Sequence, residues 1–565
     1  MKFFEDFVYS ILGSKTKKSL VILITLLAFI GSIMMLPTEI VKAKMLPGKS
    51  ANTYSVYVDA PTGSSIEETK AISECVVNIL KKEKEVTDIE VFLGQGAPLD
   101  YAGLVKGSSF KRSENVAEIV VNLTDKHERE EKSYDMVHRL RPIIQSKCEP
   151  LKKGTNIKLI EQPAGPPTLA AIVVELYGHD IKESRKLAQR IASILKKTPG
   201  LVDVDTMMDE YFTRFRLKVD KDKLIRSGLS IKQINNILYL AFEGMVVAAK
   251  NSENSPDQIP IFLVLSDETK RLDEFSKEDL ESKLASLKLM NQRGMMVPVS
   301  EVVRVIETKN NPTIMHKDLR RMINIIAETD KVSQVYPLLE ARDKMIEELS
   351  KDYKVEKVPG MSTYMFDLKL TDKKNGHKFL VRWDGEMKVT LDTFRDLGGA
   401  FIAALVLIFL LMVVYYKSFV LSGIVLLGSF LSIIGVIIGH WLMDLFTKDT
   451  FFLTATSLIG FIALMGISSR NSLLLIDFAK SLMIDKGFDK QRAIAIASAT
   501  RAKPIFLTAA AIILASTLLA TDPIFGGLGV ALIFGTVAAV VVSLIFVPVL
   551  MHNAKAMDFT KQREE

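Results

Sequence analysis

Residues 19–36 read SLVILITLLAFIGSIMML, an uninterrupted run of 18 residues without a charged side chain. About 20 apolar residues in a helix are enough to cross the hydrocarbon core of a bilayer. Glu5 and Asp6 precede the run, and Leu36-Pro37 is unlike the small-residue site at which signal peptides are cleaved. We therefore predict a retained membrane helix at 19–37.

The segment before this run, residues 1–18, is expected to form a short amphipathic helix. Its large apolar residues fall on one side of a helix: Phe3, Phe4, Phe7, Ile11 and Leu12. Such a helix lies in the interface with its apolar side toward the lipid. We place it at the cytoplasmic surface of the membrane.

Five further apolar runs all lie after residue 397. They cover residues 398–416, 419–443, 452–478, 504–521 and 524–551. Together with the first run they predict six membrane spans, the last five within 386–551. The 360 or so residues between the first and second spans form one large region on one side of the membrane.

The basic residues predict the orientation of these spans. They cluster before the first span, between the fourth and fifth, and after the sixth: Lys15, Lys17, Lys18; Lys480, Lys486, Lys490, Arg492, Arg501, Lys503; Lys555, Lys561, Arg563. Lys and Arg concentrate in cytoplasmic loops, so both termini and the tail at 552–565 are predicted to be cytoplasmic. Residues 38–397 are then outside, which is the periplasm in a Gram-negative cell.

The composition excludes several classes of protein. With 73 Lys plus Arg against 66 Asp plus Glu, the net charge of +7 over 565 residues is too small to indicate nucleic-acid binding. The 2 Cys, 19 Pro and 31 Gly argue against a disulfide scaffold, collagen or disorder. The sequence contains no nucleotide-binding P-loop, nucleophile elbow or HExxH motif, so we expect no enzyme activity and no cofactor.

The outer region begins with an α+β pattern. Helical spacing of apolar residues marks 65–80 and 133–144, and alternating patterns mark strands at 54–58, 89–92, 116–123 and 156–160. The order β-α-β-β-α-β is that of the ferredoxin-like, split βαβ fold. We therefore predict a membrane protein with six helices and a large outer region of such α+β repeats.

An internal repeat supports a second unit of the same kind. Ile66–Lys82 matches Ile181–Lys197 at an offset of 115 residues. The second unit opens with a strand at 171–176 and the helix at 181–196. We expect it to close with a strand at 322–327, a helix at 335–349 and a strand at 353–358, after an inserted domain.

Three residue types could form metal or redox sites. Cys75 and Cys148 fall on parallel helices with an axial offset of about 10 Å, so we expect free thiols. Met290, Met295 and Met296 are interpreted as core residues, although thioethers also suit Cu(I). The seven His lack metal-ligand spacing, and His440-Trp441 is expected at the membrane interface. We predict no metal site.

Four short motifs point in combination to one family. They are Ser468–Lys480 (SSRNSLLLIDFAK), Arg501–Thr508 (RAKPIFLT), Met296–Ser300 (MVPVS) and Gly165–Pro167 (GPP). Together with the order of spans and outer repeats, they resemble the carboxyl-terminal half of a resistance-nodulation-division (RND) efflux pump. The hydrophobe/amphiphile branch is the most similar.

The resemblance implies a division into domains. Residues 38–165 would be a first porter subdomain, 166–210 with 311–385 a second, and 211–310 a docking subdomain that faces an outer-membrane duct. The family works as a proton-driven trimer with twelve helices per protomer and a periplasmic adaptor. This chain would therefore be the second half of a split inner-membrane transporter for amphiphilic drugs or other hydrophobic compounds. Its missing half would come from a separate chain.

Arg470 is the most informative residue within the spans, because an intramembrane cation requires an acidic partner or a water-filled cavity. Snorkelling to the interface is the structural alternative, and Asp477 is one available partner two helical turns away. In the family this position is usually Lys, which pairs with two Asp of the other half. Arginine stays protonated, so here it would act as a fixed counter-charge.

Three further residues match the proton-relay positions of the family. Thr508 could pass hydrogen bonds, or simply bond to its own helix. Arg501 could take part in the relay or anchor the helix at the interface, and Asn471 could orient Arg470. No Asp or Glu lies in the middle of any predicted span, so this chain by itself lacks an acid for a proton cycle.

The Gly-rich link Phe92–Phe110 (FLGQGAPLDYAGLVKGSSF) is the candidate substrate-binding segment. Phe92, Tyr101 and Phe110 could line an adaptable apolar pocket, as the equivalent loop of the family does. The alternative is an ordinary hairpin with aromatic rings packed beneath it.

Other functions remain open at this point. A heavy-metal RND exporter and a protein-export accessory of the same superfamily are the alternatives, and a third is a remnant that only scaffolds an envelope complex. The accessory has a much smaller outer domain in its six-helix half, which argues against it.

Overall fold

The computed structural model describes residues 2–98, 101–166, 168–254, 256–272, 276–358 and 366–559. It divides into two compact units, one formed by Asp209–Thr313 and the other by the remainder of the chain. The predicted insertion at 211–310 falls within the smaller unit.

Among the described residues, six helices are long and apolar enough to cross a membrane, as the sequence predicts. They are TM1 Lys15–Met34, TM2 Glu386–Tyr416, TM3 Phe419–Phe446, TM4 Ala455–Asp485, TM5 Lys490–Ala520 and TM6 Gly526–Asn553. TM3 is made of two helices, Phe419–Phe430 and Ile433–Phe446. TM6 contains a π-helical turn at Val542–Phe546 between Gly526–Val541 and Val547–Asn553.

TM3, TM4 and TM6 form the middle of the bundle, and only a small share of the residues of TM1, TM2 and TM5 is buried. Glycines allow the close approach of TM3 to TM6, because a Cβ at Gly435 would lie 2.2 Å from the Phe534 carbonyl oxygen. The exposed faces of TM2 and TM5 carry large apolar side chains, including Val414 (76% exposed) and Leu518 (81% exposed). These two faces therefore lie against lipid or against another protein.

The apolar residues of the first helix, Lys2–Gly13, are partly buried and partly exposed. Val8, Ile11 and Leu12 are buried against the membrane bundle, whereas Phe3 is 86% exposed. The helix is held on TM5 by an ion pair between Glu5 and Arg492 (3.2 Å). The prediction that this whole apolar side faces lipid is therefore corrected, because the membrane bundle covers Ile11 and Leu12.

The first α+β subdomain contains one four-stranded sheet. Its elements are β1 Thr53–Asp59, helix Ile66–Leu80, β2 Val86–Gln95, helix Tyr101–Lys106, a 3₁₀ turn Ser108–Phe110, β3 Arg112–Leu123, helix Ser133–Cys148, a 3₁₀ turn Glu149–Leu151 and β4 Asn156–Glu161. The sheet is antiparallel with the order β2-β3-β1-β4. One face packs on the two long helices around Val56, Ile119 and Met136.

Cys75 and Cys148 form a disulfide that joins these two helices, so the prediction of free thiols is wrong. Their Cα atoms are 5.8 Å apart. The prediction counted residues from the start of each helix and assumed that the two helices begin at the same level. The loops and strands set the relative axial position of the helices, and they bring Cys75 opposite the end of its neighbour.

The second α+β subdomain is built from two separated segments. The first contains β5 Ile172–Tyr177, helix Ile181–Lys196 and β6 Leu201–Thr206. The helix is strongly amphipathic and begins at the N-cap residue Asp180, whose carboxylate accepts a hydrogen bond from the Glu183 backbone N–H. The chain then leaves this subdomain and enters the smaller unit.

The smaller unit has its own core around Leu224, Ile234, Leu284 and Val302. Its strands form three antiparallel pairs: β7 Thr213–Val219 with β12 Val303–Lys309, β8 Met245–Lys250 with β9 Ile259–Leu263, and β10 Lys288–Met290 with β11 Met296–Pro298. Its helices are Lys221–Ser227, Ile231–Leu238 (continued by a π-helical turn at Tyr239–Glu243), Asp267–Lys270, Lys277–Ser286 and Val299–Val302. The β8–β9 hairpin is exposed along its whole length although it is apolar.

The methionines of this unit are not core residues, which corrects the interpretation of Met290, Met295 and Met296. They are 62%, 55% and 58% exposed, respectively. Met290 pairs with Met296 across the β10–β11 hairpin. The hairpin is too short to bury both of its faces, so the side chains project from its end.

The second segment completes the sheet of the second subdomain. It adds β13 Met315–Lys317, β14 Arg320–Thr329, helix Val335–Leu349, β15 Tyr353–Lys357, β16 Leu368–Asp372 and β17 Lys378–Asp384. The order is β13-β14-β5-β17-β16-β15, and β6 also pairs with β14. The sequence analysis missed the β16–β17 hairpin, which lies between β5 and β15. TM2 begins two residues after β17.

Candidate functional site

Arg470 is the middle residue of TM4, a helix of 31 residues whose N-cap, Thr454, forms a capping box with Ser457. At 1.5 Å per residue, Arg470 lies about 20 Å from either end of the helix. The side chain is exposed, on the same face of TM4 as Ile459 and Gly466. The opposite face, which contains Leu464 and Leu475, is fully buried in the bundle. Arg470 therefore points away from the five other helices.

Arg470 forms no ion pair within the described part of the chain. The nearby acid, Asp477, accepts a hydrogen bond from the Tyr415 hydroxyl of TM2 (3.0 Å). The neighbouring Tyr416 hydroxyl donates to the Leu473 carbonyl oxygen (3.2 Å). Asp477, which the sequence suggests as a partner for Arg470, is therefore hydrogen-bonded to TM2 instead.

Thr508 lies on the exposed face of TM5, and its hydroxyl donates to the carbonyl oxygen of Pro504 (2.8 Å). This bond within the helix is the structural alternative that the sequence left open. Because the hydroxyl oxygen keeps an acceptor position and faces away from the bundle, it can still accept a hydrogen bond from outside.

Arg501 and Asn471 lie nearer to the neighbouring helices. The guanidinium of Arg501 is 5.0 Å from the ring centroid of Phe478 on TM4, a cation–π contact that joins TM5 to TM4. Asn471 is half-buried and makes no side-chain hydrogen bond among the described residues. The structure therefore connects Arg501 to TM4, while no hydrogen bond joins Arg470, Asn471 and Thr508 in the described residues.

All carboxylates in the described spans lie toward helix ends. They are Glu386, Asp392 and Asp396 at the start of TM2, Asp444 near the end of TM3, and Asp477 and Asp485 in the last third of TM4. Arg395 neutralises Asp392 and Asp396 at 3.2 and 2.9 Å. A cationic side chain in the middle of TM4 thus has no acid at its own depth in these helices.

The side chain of His440, which the sequence places at the membrane interface, is fully buried between TM3 and TM4. Its Nδ1 is 2.7 Å from the Val436 carbonyl oxygen, and its Nε2 is 2.8 Å from the Ser457 hydroxyl. A Cβ at Gly527 of TM6 would lie 2.3 Å from the hydroxyls of Ser457 and Thr454, so only glycine permits this packing. Sequence reasoning missed this polar cluster because Ser457, the side-chain partner of His440, lies on another helix.

The described residues of the segment Phe92–Phe110 form a compact connection rather than an open loop. Gly96 packs against the backbone of Ser108, where a Cβ would lie 2.0 Å from the carbonyl oxygen. The Tyr57 hydroxyl donates to Ser108 Oγ (3.1 Å), and the buried Glu118 accepts the Ala97 backbone N–H (2.9 Å). These contacts fix the segment on the sheet face opposite the helices.

The three candidate aromatic residues of this segment are placed differently. Phe92 is half-buried on β2, Phe110 is 68% exposed, and Tyr101 begins a helix, with a side chain that lies outside the described residues. No ring contact joins Phe92 to Phe110 in the described part of the chain. The structure thus does not bring these two rings together.

The fold and the membrane site together define a class of membrane protein: six spans, two α+β subdomains with an insertion between TM1 and TM2, and one cation in the middle of TM4. This is an arrangement found in RND-type transporters. The model of the AcrB/AcrD/AcrF family matches residues 2–364 and 368–554. The chain belongs to this family.

Curated relatives cover nearly the whole chain. The swarming motility protein SwrC of Bacillus subtilis (strain 168) is 22% identical over 550 residues, which are 94% of this chain and 45% of SwrC. The multidrug export protein AcrF of Escherichia coli (strain K12) is 23% identical over 569 residues, 97% of this chain and 48% of AcrF. The multidrug resistance protein MdtC of Proteus mirabilis (strain HI4320) is 24% identical over 394 residues, 69% of this chain and 34% of MdtC. The chain spans at most about half the length of these relatives.

Solved structures share the fold. Two crystal forms of a heavy metal efflux pump superpose with TM-scores of 0.72 and 0.70, at 19% and 18% identity. They cover 98% of this chain and 51% and 52% of the pump, respectively. This similarity supports the fold and the half-length relation.

Proposed function

We propose that this chain provides the second half of a split, proton-driven RND efflux transporter, and that a separate chain carries the amino-terminal half. The observation that carries the proposal is the exposed Arg470 in the middle of TM4, without an acid at its depth. A charge left unpaired in an apolar environment costs several kcal/mol. A second set of helices with acids facing Arg470 removes that cost.

The exposed faces of TM2 and TM5 support the same arrangement, because a partner bundle would cover them together with Arg470. In this arrangement Arg470 is a fixed counter-charge, and the acids of the partner bind and release the proton. Thr508 accepts or donates a hydrogen bond at that interface, Asn471 orients Arg470, and Arg501 positions TM5 through its contact with Phe478.

The proposed location is the inner membrane, with both termini in the cytoplasm and residues 38–397 in the periplasm. Residues 38–165 and 166–210 with 311–385 serve as porter subdomains, and 211–310 as the docking subdomain. Trimers of chain pairs would assemble with a periplasmic adaptor and an outer-membrane duct. The exposed apolar β8–β9 hairpin supports such an assembly, because an exposed apolar surface of this kind is typical of a protein interface.

Amphiphilic or hydrophobic compounds from the periplasm or the inner membrane are the proposed substrates. The names of AcrF and MdtC as multidrug proteins favour this class. A soft metal ion is the second candidate, favoured by the exposed, cross-strand Met290 and Met296 and by the fold shared with a heavy metal efflux pump. In the described residues, no cluster of three or more His, Cys, Asp or Glu could hold a metal ion.

Purification tests the need for a partner. When the chain is tagged at its carboxyl terminus and extracted from native membranes, we expect a second membrane chain of similar length to copurify in equal amount. The pair should transport in proteoliposomes under a pH gradient, and this chain alone should not. Transport by the purified single chain would contradict the proposal.

Substrate class is tested by replacing Phe92 and Phe110 with Ala in one gene. We expect the cells to become several-fold more sensitive to dyes, detergents or lipophilic antibiotics, because apolar contacts to the substrate are lost. Minimum inhibitory concentrations measure the effect, and Phe488→Ala, at an exposed position in the link between TM4 and TM5, is the control. Sensitivity only to copper, silver or zinc would favour the metal alternative instead.

A further inference from the structure

Four serine side chains lie buried in the middle of the membrane bundle, on three different helices. They are Ser432 of TM3, Ser468 and Ser472 of TM4, and Ser543 of TM6, and none of the four is exposed. Within the described residues, the hydroxyls of Ser468, Ser472 and Ser543 have no hydrogen-bond partner. Burial of an unpaired hydroxyl is unfavourable, above all in a membrane, where no bulk water reaches it.

Other buried serines of the bundle show the usual arrangement, in which the hydroxyl donates to a carbonyl oxygen of the preceding helical turn. Ser429 of TM3 donates to Val425, and Ser498 of TM5 donates to Ile494, each at 2.9 Å. The three unpaired serines depart from this arrangement although each lies within a helical segment. Their oxygens are therefore available to a ligand inside the bundle.

Close contacts show that the serines of the three helices meet at one depth. A Cβ at Gly428 of TM3 would lie 3.3 Å from Ser472 Oγ and 2.7 Å from Val547 Cγ2 of TM6. About two turns farther along TM4, Leu464 defines a second level, because its Cδ2 would lie 2.2 Å from a Cβ at Gly535 of TM6. One turn from the first level, toward the second, lie the three other serines: Ser432, Ser468 and Ser543.

Two of the helices are irregular at this depth. TM3 is interrupted between Phe430 and Ile433, and the Ser432 backbone N–H donates to Ser429 (3.3 Å) instead of to Gly428. TM6 has its π-helical turn here. Carbonyl groups of an α-helix point toward its carboxyl end, so the Gly428 carbonyl oxygen, without its usual helical partner, points toward the level of Ser432.

The four hydroxyls and the one backbone carbonyl together supply neutral oxygen atoms only. Ser432 Oγ already donates its hydrogen to the Ser429 carbonyl oxygen (2.7 Å), so only lone pairs remain on it. Neutral oxygens at interrupted membrane helices are typical ligands of Na⁺. A divalent cation would require carboxylates, and in the described spans these lie toward helix ends. The oxygens therefore suit one small monovalent cation.

We propose that these four serines and the Gly428 carbonyl bind one dehydrated Na⁺ ion between TM3, TM4 and TM6, and we call this the serine site. The ion links the irregular turns of TM3 and TM6 to TM4. Ser468 and Ser472 are each two residues from Arg470, which places the serine site on the opposite side of TM4 from Arg470. The serine site is therefore separate from the proposed proton site, and the inference does not depend on the substrate of transport or on a partner chain.

The charge of Arg470 limits the affinity of the serine site for a cation. Arg470 and the serine site are separated by the width of TM4, about 10 Å, so the guanidinium repels the ion across the helix. The oxygen ligands are neutral and do not cancel this repulsion. We therefore expect weak, reversible binding of Na⁺ rather than a permanently held ion.

Binding of radioactive Na⁺ to the full chain in nanodiscs tests the serine site directly, and hydrogen exchange of the same samples tests its location. Samples are compared in NaCl, KCl and choline chloride at one pH and one ionic strength. Ser468→Ala and Ser543→Ala each remove one ligand oxygen, whereas Ser468→Cys keeps the size of the side chain and replaces a hard oxygen with soft sulfur. Ser498→Ala in TM5 is the matched control, because its hydroxyl is buried but paired within its own helix.

We expect saturable binding of Na⁺ that unlabelled Na⁺ displaces and that K⁺ and choline do not. Because the ion binds only the packed bundle, Na⁺ at about 100 mM should slow exchange at the TM3 interruption and the TM6 π-helical turn about tenfold for a dissociation constant of about 10 mM. The variants at Ser468 and Ser543 should lose most of the binding and the Na⁺-dependent slowing of exchange. Ser498→Ala should retain both.

Three results would overturn the serine site: no binding of Na⁺ above that of empty nanodiscs, equal hydrogen exchange in the three salts, or full binding by the variants at Ser468 and Ser543. Equal exchange in all salts is the outcome expected when water alone satisfies the hydroxyls. Because both readouts are equilibrium properties of this chain, they do not change with its ability to transport or its need for a partner. Failure of the serine site and failure of the proposed function are therefore distinguishable.

Discussion

Replacing Arg470 with Ala is expected to lower transport at least about 100-fold while the chain still inserts and folds. Loss of one partner of a buried ion pair costs about 3–5 kcal/mol, mainly because the other charge is left unpaired. In the proposed assembly those other charges are acids of the partner chain. Arg470→Lys should retain part of the activity, because a cation remains at the same depth of TM4, without the planar geometry of guanidinium.

Drug accumulation in cells measures the loss of transport. Copurification of the partner chain measures whether the two chains still assemble. Lys486→Ala is the matched control, since it removes an exposed cation just past the end of TM4 and should leave transport within about twofold. Normal transport by Arg470→Ala, or an equal loss in the control, would show that Arg470 is not the counter-charge of a proton site.

Removing the disulfide is expected to have the largest effect on stability. Cys75 and Cys148 are separated by 73 residues, and closing a loop of that length stabilises the folded state by about 4 kcal/mol. The double variant Cys75→Ala/Cys148→Ala should therefore increase hydrogen exchange about 1000-fold in helices Ile66–Leu80 and Ser133–Cys148, where exchange occurs through unfolding of this subdomain. Exchange in the second subdomain should change much less, because its core is separate.

Hydrogen exchange monitored by mass spectrometry gives the exchange rates of both subdomains in one experiment. Ser146→Ala, on an exposed position of the same helix, controls for a change in helix propensity. Unchanged protection in the double variant would indicate that the apolar core around Ile119 and Met136 suffices to hold the two helices together. Treatment of the unaltered chain with a reducing agent should reproduce the effect of the double variant.

Most of the secondary structure could be predicted from local patterns. The six spans follow from the length of the apolar runs, because a helix in lipid must satisfy its backbone internally and cover the bilayer with apolar side chains. Helices such as Ile181–Lys196 follow from helical periodicity and a capping residue, Asp180. The β16–β17 hairpin was missed, since its strands are short and lie beside a region that was interpreted as the start of the membrane domain.

The candidate site residues could be selected from the sequence, but the residues that surround them in the fold could not be predicted. Sequence reasoning places Arg470 in the middle of a span, yet it cannot tell which way the side chain points. The packing of TM4 against TM3, TM5 and TM6 decides that Arg470 faces outward, and the position of TM2 decides that Asp477 bonds to Tyr415 instead. The same holds for Phe92 and Phe110, which bound one segment of the sequence but whose rings make no contact in the described structure.

By itself, then, the sequence determined the spans, the two α+β patterns, the insertion within the second of them and the family. Only the tertiary structure decided which distant residues meet: Cys75 with Cys148, His440 with Ser457, and Arg141 with Asp203. The physical reason is range. Hydrophobic periodicity and capping act over a few residues of one element, whereas the relative position of two helices or two subdomains depends on packing and charge across the whole molecule.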